Sequence, residues 1–217
     1  MRLELSCTRI EEKFGGKGDV ISEIDPAGFL RQRIKVLKAR FTHREVEIVT
    51  DLEEGAPFIR LPSDVLQKVV DGLIRNAVEN TPDEGKIEID VRKRGTGIEL
   101  VVHDYGVGIT TESQRHIFEG FFVSRDIMAY SSQRPFDFNA GGKGVDLLRM
   151  KIFSERYNFE INMTSSRCKF IPEESDICPG RISRCSFCKA KEVCYHSGGT
   201  IFALFFPFTA ATSLRQP

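Results

Sequence analysis

Apolar residues recur along the chain with two different periods, one typical of helices and one typical of strands. Three stretches show the helical spacing of three to four residues and predict the main helices. The first stretch follows Asp25-Pro26, a pair that suits the N-cap and the first position of a helix. The apolar positions are Leu30, Ile34, Leu37 and Phe41 in the first stretch, Val65, Val69, Leu73 and Ala77 in the second, and Val145, Leu148, Ile152 and Phe153 in the third.

Shorter apolar runs between these helices predict the strands of a sheet. We expect strands at residues 46–50, 86–93, 98–104 and 200–208, and a further strand that ends near residue 165. The turn Gly95-Thr96-Gly97 joins two of them as an antiparallel hairpin. Residues 1–24 have no such pattern and are expected to be a lead-in, so we predict one domain over residues 25–217.

Net charge and the length of the apolar runs indicate which kinds of partner to expect. Thirty-one basic and 31 acidic residues leave a formal net charge of zero, which gives no attraction to nucleic acid or to an acidic membrane surface. No apolar run reaches the roughly 20 residues needed to span a bilayer, and the first ten residues lack a signal-peptide pattern. We therefore expect a cytoplasmic chain with no nucleic-acid partner and no membrane contact.

The second helix has a polar edge beside its apolar stripe. Gly72, Asn76 and Asn80 follow one another at four-residue spacing, so a helix places them in line on one side. Asparagine is a mediocre helix former, and an amide oxygen is a suitable neutral ligand for Mg²⁺ that already holds phosphates. The sequence equally allows Asn76 to bond a neighbouring loop instead.

A second polar feature ends the strand at residues 98–104. Asp104-Tyr105-Gly106-Val107-Gly108 places a carboxylate at the strand end, where its oxygens can accept from an amino group, and the two glycines let the backbone approach a flat ligand. A strand that simply ends in a glycine turn is the alternative.

Two further segments have sequences that could cover or contact a bound ligand. Residues 123–140 form a long polar stretch without periodicity, which indicates a lid or a disordered loop. The glycine-rich turn Gly141-Gly142-Lys143-Gly144 then precedes the third helix. A glycine turn at a helix N-terminus presents free N–H groups and partial positive charge, which suits phosphates.

Taken in order and spacing, five motifs resemble the N, G1, F and G2 boxes and the final strand of sensor histidine kinases, within the GHKL ATPase superfamily. They are Leu73-Ile74-Arg75-Asn76-Ala77 with Thr81, Asp104-Tyr105-Gly106-Val107-Gly108, Ile117-Phe118-Glu119-Gly120-Phe121-Phe122, Gly142-Lys143-Gly144-Val145-Asp146-Leu147 and Gly199-Thr200-Ile201-Phe202. The resemblance implies the Bergerat (GHKL) fold, an α+β two-layer sandwich with a mixed, mostly antiparallel sheet and three main helices.

The resemblance also implies an activity and a site. It implies a protein histidine kinase catalytic half that binds ATP and Mg²⁺, with residues 123–140 as the ATP lid and with no certain catalytic residue in this chain. The phosphoryl group would pass to a histidine on a dimerisation domain and then to a response regulator. Asn76 would hold Mg²⁺, and the implied nucleotide-binding residues are Asn76, Asn80, Asp104, Gly106, Gly108, Gly142, Lys143, Gly144, Val145 and Thr200.

The chain departs from the family pattern at four positions. Gly72 stands for the first asparagine of the N box, Glu79-Asn80 for a lysine followed by tyrosine or histidine, and Asp146 for a glycine. Gly72 also stands where ATPase relatives have a water-activating glutamate, which favours transfer to a protein side chain over hydrolysis. A degenerate regulatory module with weak or no ATP binding is the alternative function.

Five of the six cysteines lie between Cys168 and Cys194, in an insert at about residues 166–197 that the resemblance does not explain. The spacing predicts a metal site of four thiolates, with zinc as first choice and an iron–sulfur cluster as the alternative. Disulfides and free thiols remain open. The ligands would be Cys178, Cys185, Cys188 and Cys194, with Cys168 or His196 in reserve. We hypothesise that the insert senses metal or redox state and adjusts the kinase.

Overall fold

The computed structural model describes residues 20–118, 135–140, 145–188 and 190–208. The strands are β1 (Ile21–Ile24), β2 (Glu47–Leu52), β3 (Ile59–Pro62), β4 (Lys86–Arg94), β5 (Gly97–Asp104), β6 (Glu160–Ser166) and β7 (Gly199–Pro207). The helices are α1 (Pro26–Lys38), α2 (Ser63–Asn80), α3 (Thr111–Gln114), α4 (Val145–Tyr157) and α5 (Lys191–Tyr195), with a 3₁₀ turn at Ile182–Arg184.

The main sheet has five strands in the order β2-β4-β5-β7-β6. Only β2 and β4 run parallel within it, and the other neighbours are antiparallel. The predicted hairpin joins β4 to β5, and β5 then pairs with the final strand, so that Asp104 lies opposite Thr200. This mixed, mostly antiparallel sheet confirms the fold class that the resemblance implied.

The three long helices cover one face of the sheet. In β4, buried Ile87, Ile89 and Val91 alternate with polar residues that face away from the core. From the helical layer, α2 contributes its whole predicted apolar stripe, and Val69 and Leu73 are almost completely inaccessible to solvent. The core therefore lies between the two layers, as the two hydrophobic periods require.

The start of α1 follows the local sequence closely. The Asp25 carboxylate caps the helix by accepting from the backbone N–H groups of Ala27 and Gly28, at 3.2 and 3.0 Å, with Pro26 at the first helical position. Phe41 lies beyond the end of the helix, yet it is buried and packs on Phe136 with 5.3 Å between ring centroids.

Some short elements in the described part of the chain differ from the prediction, among them β1, β3 and α3. Residues 21–24, expected to be part of the lead-in, form β1, which pairs with the unpredicted strand β3. Each has only four residues, too few for a period-two pattern to stand out from its surroundings. The four-residue helix α3 was also missed, although its N-cap Thr110 accepts from the Ser113 N–H.

None of the helices in the described segments is both long enough and apolar enough to cross a membrane.

Candidate nucleotide-binding site

Asp104 is buried at the end of β5, between the ends of β4 and β7. Its Oδ1 accepts from the Gly106 N–H at 3.1 Å, and its carboxylate also accepts from the backbone and hydroxyl of Thr200. Desolvation by burial raises the pKa of Asp104 to about 7, against the opposing effect of these hydrogen bonds. A carboxyl group in this position is fixed in orientation and can accept from a ligand amino group that replaces its lost water.

The two glycines of the motif lie very close to the protein's own backbone. A Cβ at Gly106 would clash with the carbonyl oxygen of Asn80, and a Cβ at Gly108, where φ is +63°, would clash with that of Ser166. The close backbone approach that requires glycine is therefore an approach to the protein's own chain. This close approach lets residues 104–108, the Asp104 turn, pack between the C-terminus of α2 and the end of β6.

Asn76 and Asn80 lie on the last turns of α2, next to this turn. Asn76 is half-buried, while Asn80 is exposed and uses its Nδ2 to donate to the Asn76 carbonyl at 2.8 Å. The Asn80 carbonyl accepts from the Val107 N–H at 3.1 Å. Asn80 thus connects the helix to the Asp104 turn through its backbone, and Asn76 is the better candidate for a ligand contact.

The departures at Gly72 and Asp146 are explained by the packing of α4 on α2. A Cβ at Gly72 would lie 2.5 Å from the terminal methyl group of Met150 and 3.7 Å from the Asp146 Cβ, so a side chain there would require the end of Met150 to shift. Asp146 pairs with Arg75 of α2 and lies 3.6 Å from the Arg149 guanidinium. Its negative charge is therefore compensated by basic groups.

Glu79, another departure from the family pattern, holds residues 135–140 against α2. These residues are the end of the expected lid. The buried Glu79 carboxylate accepts from the Phe136 N–H at 3.1 Å, and its backbone carbonyl accepts from the Asn139 N–H at 2.8 Å. Desolvation raises the pKa of Glu79, although the Phe136 N–H and nearby arginines oppose that effect.

Arg44 also holds residues 135–140 against α2, a role that its surrounding sequence does not predict. Its side chain is only 4% exposed and pairs with Asp83 at 2.8 Å. It also donates to the carbonyls of Val78, Phe136 and Thr81, at 3.0, 2.7 and 2.7 Å. One guanidinium thus connects the end of α2, the turn after it and the lid end. A single arginine after a helix gives no local sign of such a role.

Several predicted residues lie outside the described part of the chain. They are Gly142, Lys143 and Gly144 of the glycine-rich stretch, residues 123–134 of the expected lid, and Glu119-Gly120-Phe121-Phe122 of the F box. For Val145 only the helical backbone is described.

The insert extends over residues 167–198, between β6 and β7, and its five cysteines are unpaired. Cys188 is buried, and its thiol is near enough to those of Cys185 and Cys194 to interact with them electrostatically. Cys178 and Cys168 are near enough to interact electrostatically with Cys194. Burial raises the pKa of the Cys188 thiol above its usual range.

The reserve ligands make other contacts. The Cys168 thiol donates to the Ser197 hydroxyl at 3.3 Å, and His196 Nδ1 lies 2.7 Å from the Glu192 carbonyl oxygen. Within the described segments, no three side chains of His, Cys, Asp or Glu are arranged to hold a metal ion.

Comparison with known proteins gives related sequences among sensor kinases. The adaptive-response sensory kinase SasA of Gloeothece citriformis is 30% identical over 95 residues, which is 43% of this chain and 24% of that protein. The sensor-like histidine kinase SenX3 of Mycolicibacterium smegmatis is 26% identical over 147 residues, 67% of this chain and 35% of that protein. The chain thus spans about a quarter to a third of the length of these relatives.

Solved structures with the same fold are also histidine kinases. Full-length ShkA in complex with AMPPNP aligns with a TM-score of 0.61 at 18% identity, over 94% of this chain and 35% of that one. The mycobacterial sensor histidine kinase MprB aligns with a TM-score of 0.58 at 17% identity, over 87% of this chain and 97% of that one.

The family described as histidine kinase-, DNA gyrase B-, and HSP90-like ATPase matches residues 62–210, a range that begins just before α2 and includes β7. This range contains the buried Asp104, its partner Thr200 and both asparagines of α2. The chain therefore belongs to the family of histidine kinase-, DNA gyrase B- and HSP90-like ATPases.

Proposed function

We propose that this chain is the ATP-binding catalytic domain of a sensor histidine kinase, which transfers the γ-phosphoryl group of Mg-ATP to a histidine outside the chain. The buried Asp104 carboxyl carries the proposal, because Gly106 and Thr200 hold it in one orientation at a strand end. In a member of this family, such a group suits the amino group of adenine.

Other residues would bind the Mg²⁺ and the phosphates of the nucleotide. Asn76, half-buried on α2, offers an amide oxygen to Mg²⁺, and the glycine-rich sequence Gly142-Lys143-Gly144, directly before α4, is the candidate for the phosphates. Mg²⁺ would supply charge neutralisation during transfer of the phosphoryl group. Arg44 and Glu79 fix residues 135–140, the end of the segment that we propose as the ATP lid.

Gly72 favours transfer over hydrolysis. It has no side chain to act as a general base toward water, and it is covered by Met150 and Asp146. The phosphoacceptor would be a histidine on a dimerisation domain, in the same protein or in a separate chain, and a response regulator would then receive the phosphoryl group. One of the structural relatives, ThkA, was solved in complex with the response regulator protein TrrA.

Nucleotide titration tests the assignment directly. We expect saturable ATP binding that strengthens with Mg²⁺, and a loss of about tenfold or more in affinity on Asp104→Asn, because an amide cannot accept with both of its ends. Asp90→Asn, on the outward side of the neighbouring strand β4, is the matched control and should bind as the wild type does.

Two results would contradict the proposal. Unchanged binding by Asp104→Asn would remove the adenine assignment. A wild-type chain that binds no nucleotide would favour the degenerate regulatory module, for which the departures at Gly72, Glu79 and Asp146 are the specific observation.

We also propose that the insert binds a thiophilic metal, as zinc or as an iron–sulfur cluster. The proximity of the Cys185, Cys188 and Cys194 thiols supports this, and these side chains would have to reorient to complete a coordination shell with Cys178. Elemental analysis and an absorbance spectrum of anaerobically purified protein test it. Stoichiometric colourless zinc or brown iron would support the proposal, and metal-free protein that takes up neither would refute it.

A further inference from the structure

Three polar side chains form one row across neighbouring strands of the main sheet. Asp104 on β5 lies opposite Thr200 on β7, and Thr200 lies opposite Ser165 on β6, the edge strand. Residues that are directly opposite project to the same face of a sheet, here the face that the helices cover. Asp104 and Thr200 are buried and Ser165 is half-buried. The row therefore connects the proposed adenine carboxylate to the edge of the sheet.

The hydroxyl groups in this row have a definite hydrogen-bond direction. The Asp104 carboxylate accepts from the Thr200 hydroxyl, and Thr200 Oγ1 lies 3.0 Å from Ser165 Oγ. A hydroxyl has one proton to donate and two lone pairs that accept. Because Thr200 gives its proton to Asp104, it can only accept from Ser165. Ser165 is therefore the donor in this pair.

The loop that follows the Asp104 turn holds Ser165 in place. The Ile109 N–H donates to Ser165 Oγ at 2.9 Å. Gln114 of α3 donates through Nε2 to the carbonyls of Ile109 and Ser165, at 2.8 and 3.0 Å. The hydrogen bonds thus run from Ile109 through Ser165 and Thr200, and they end on Asp104. Hydrogen bonds in such a chain polarise one another, so the effect of the first donor reaches the carboxylate.

A second acceptor shows what Ser165 controls. Its Oγ also lies 3.0 Å from the Gly199 carbonyl oxygen, to which it can donate instead. The oxygens of Ser165 and Thr200 would then face each other without a proton between them, unless Thr200 turned its own proton to Ser165. Asp104 would lose a donor in that case. The direction of the Ser165 hydroxyl thus decides whether Thr200 donates to the carboxylate.

From this geometry we propose that Ser165 is a positioning residue for recognition of the adenine amino group. By donating to Thr200 it keeps the Thr200 hydroxyl directed at Asp104, so that the carboxylate is held ionised and in the orientation that accepts from the amino group. Ser165 acts through Thr200 and Asp104. The inference rests on the proposed function, and it extends the recognition site to β6, where no motif of the family resemblance lies.

A nucleotide without the amino group tests this role. Purine riboside triphosphate has hydrogen where ATP has the amino group at C6, and the two are otherwise identical. We expect Ser165→Ala to weaken binding of Mg-ATP about fivefold, the loss of roughly one hydrogen bond, and to leave the affinity for the Mg complex of the analogue unchanged. Titration calorimetry of the whole chain with both nucleotides measures the two affinities. A structural role for Ser165 would change both.

Two variants of equal shape separate the hydroxyl from the volume of the side chain. Ser165→Thr keeps the hydroxyl and Ser165→Val replaces it with a methyl group, while both residues suit a strand. Ser165→Thr should bind Mg-ATP as the wild type does, and Ser165→Val should show the same selective loss as Ser165→Ala. Ser166→Ala, at the exposed next position of β6, is the matched control and should bind both nucleotides normally.

Each outcome either supports or overturns the inference. Equal losses for ATP and the analogue, equal behaviour of Ser165→Thr and Ser165→Val, or full ATP affinity in Ser165→Ala would overturn it. In each of these cases the proposed function stands as long as the wild type binds ATP more tightly than the analogue and Asp104→Asn abolishes that preference. A wild type that binds both nucleotides equally, or neither, removes the adenine assignment and the role of Ser165 with it.

Discussion

Asp104 is buried where an ionised carboxylate loses its hydration, and hydrogen bonds from two residues partly offset that loss. Gly106 and Thr200 donate to it, while burial raises its pKa to about 7, so the folded chain keeps a proton that the unfolded chain has released. A ligand amino group would stabilise the ionised form by adding a donor to the same carboxylate.

This pKa predicts how stability depends on pH. Between pH 4 and 7 the folded state binds more protons at Asp104 than the unfolded state does, so the free energy of unfolding falls as pH rises. Relative to Asp104→Asn, the wild type should lose up to roughly 1.4 kcal/mol for each pH unit across this window. Chemical denaturation at pH 5, 6 and 7 measures the difference, and parallel curves for the two proteins would contradict the raised pKa.

Asp146 and Arg75 form a second residue-scale feature. Asp146 lies directly after the turn that we propose for the phosphates, and its pairing with Arg75 compensates its charge. Arg75→Gln should therefore weaken ATP binding severalfold, since the carboxylate would repel the triphosphate. In an Asp146→Gly background the same substitution should cost much less. A double-mutant cycle of ATP affinities tests this, and equal losses in both backgrounds would show that the pair does not act on nucleotide.

At the scale of elements, Arg44 joins parts of the chain that no regular secondary structure connects. It satisfies carbonyls at the end of α2, in the following turn and at the lid end, and it pairs with Asp83 while almost fully buried. The insert reaches the same turn from the other side through Gly180 and Arg181. The α2 terminus is thus the point where three irregular segments meet.

Loss of this arginine should destabilise the chain strongly. Arg44→Met leaves the Asp83 carboxylate and three carbonyls without their donor, and we expect about 3 kcal/mol of lost unfolding free energy. Arg31→Met removes an exposed pair with Glu54 and should cost less than about 1 kcal/mol. Urea denaturation of both variants makes the comparison, and losses of similar size would exclude the anchoring role.

At the scale of the whole molecule, the fold places the proposed nucleotide site next to the insert, and Gly72 offers no general base. We therefore expect the chain alone to release phosphate from Mg-ATP very slowly. Adding a separately prepared histidine-containing dimerisation domain should give a phosphorylated product that is acid-labile and base-stable. Radiolabelled ATP measures both reactions, with Asp104→Asn as the inactive control. Rapid steady phosphate release by the chain alone would indicate a self-contained ATPase instead.

Local sequence patterns determined much of this architecture. The two hydrophobic periods located the three long helices and the five strands of the main sheet, because burial of one face repeats every few residues. They also placed Asp104 at a strand end and Asn76 on the polar edge of α2. The four-residue strands β1 and β3 were missed because they are too short to show a period.

Only the tertiary structure decided which charges meet. Arg75 and Asp146 are 71 positions apart, Arg44 and Asp83 are 39 apart, and Arg181 and Glu45 are 136 apart. The sequence shows Asp146 and Glu79 only as departures from the family motifs, whereas the structure pairs Asp146 with Arg75 and bonds the Glu79 carboxylate to the Phe136 N–H. The physical reason is that hydrophobic burial repeats at regular intervals along the chain. An ion pair instead depends on the distance between two side chains in space, and it produces no repeating pattern in the sequence.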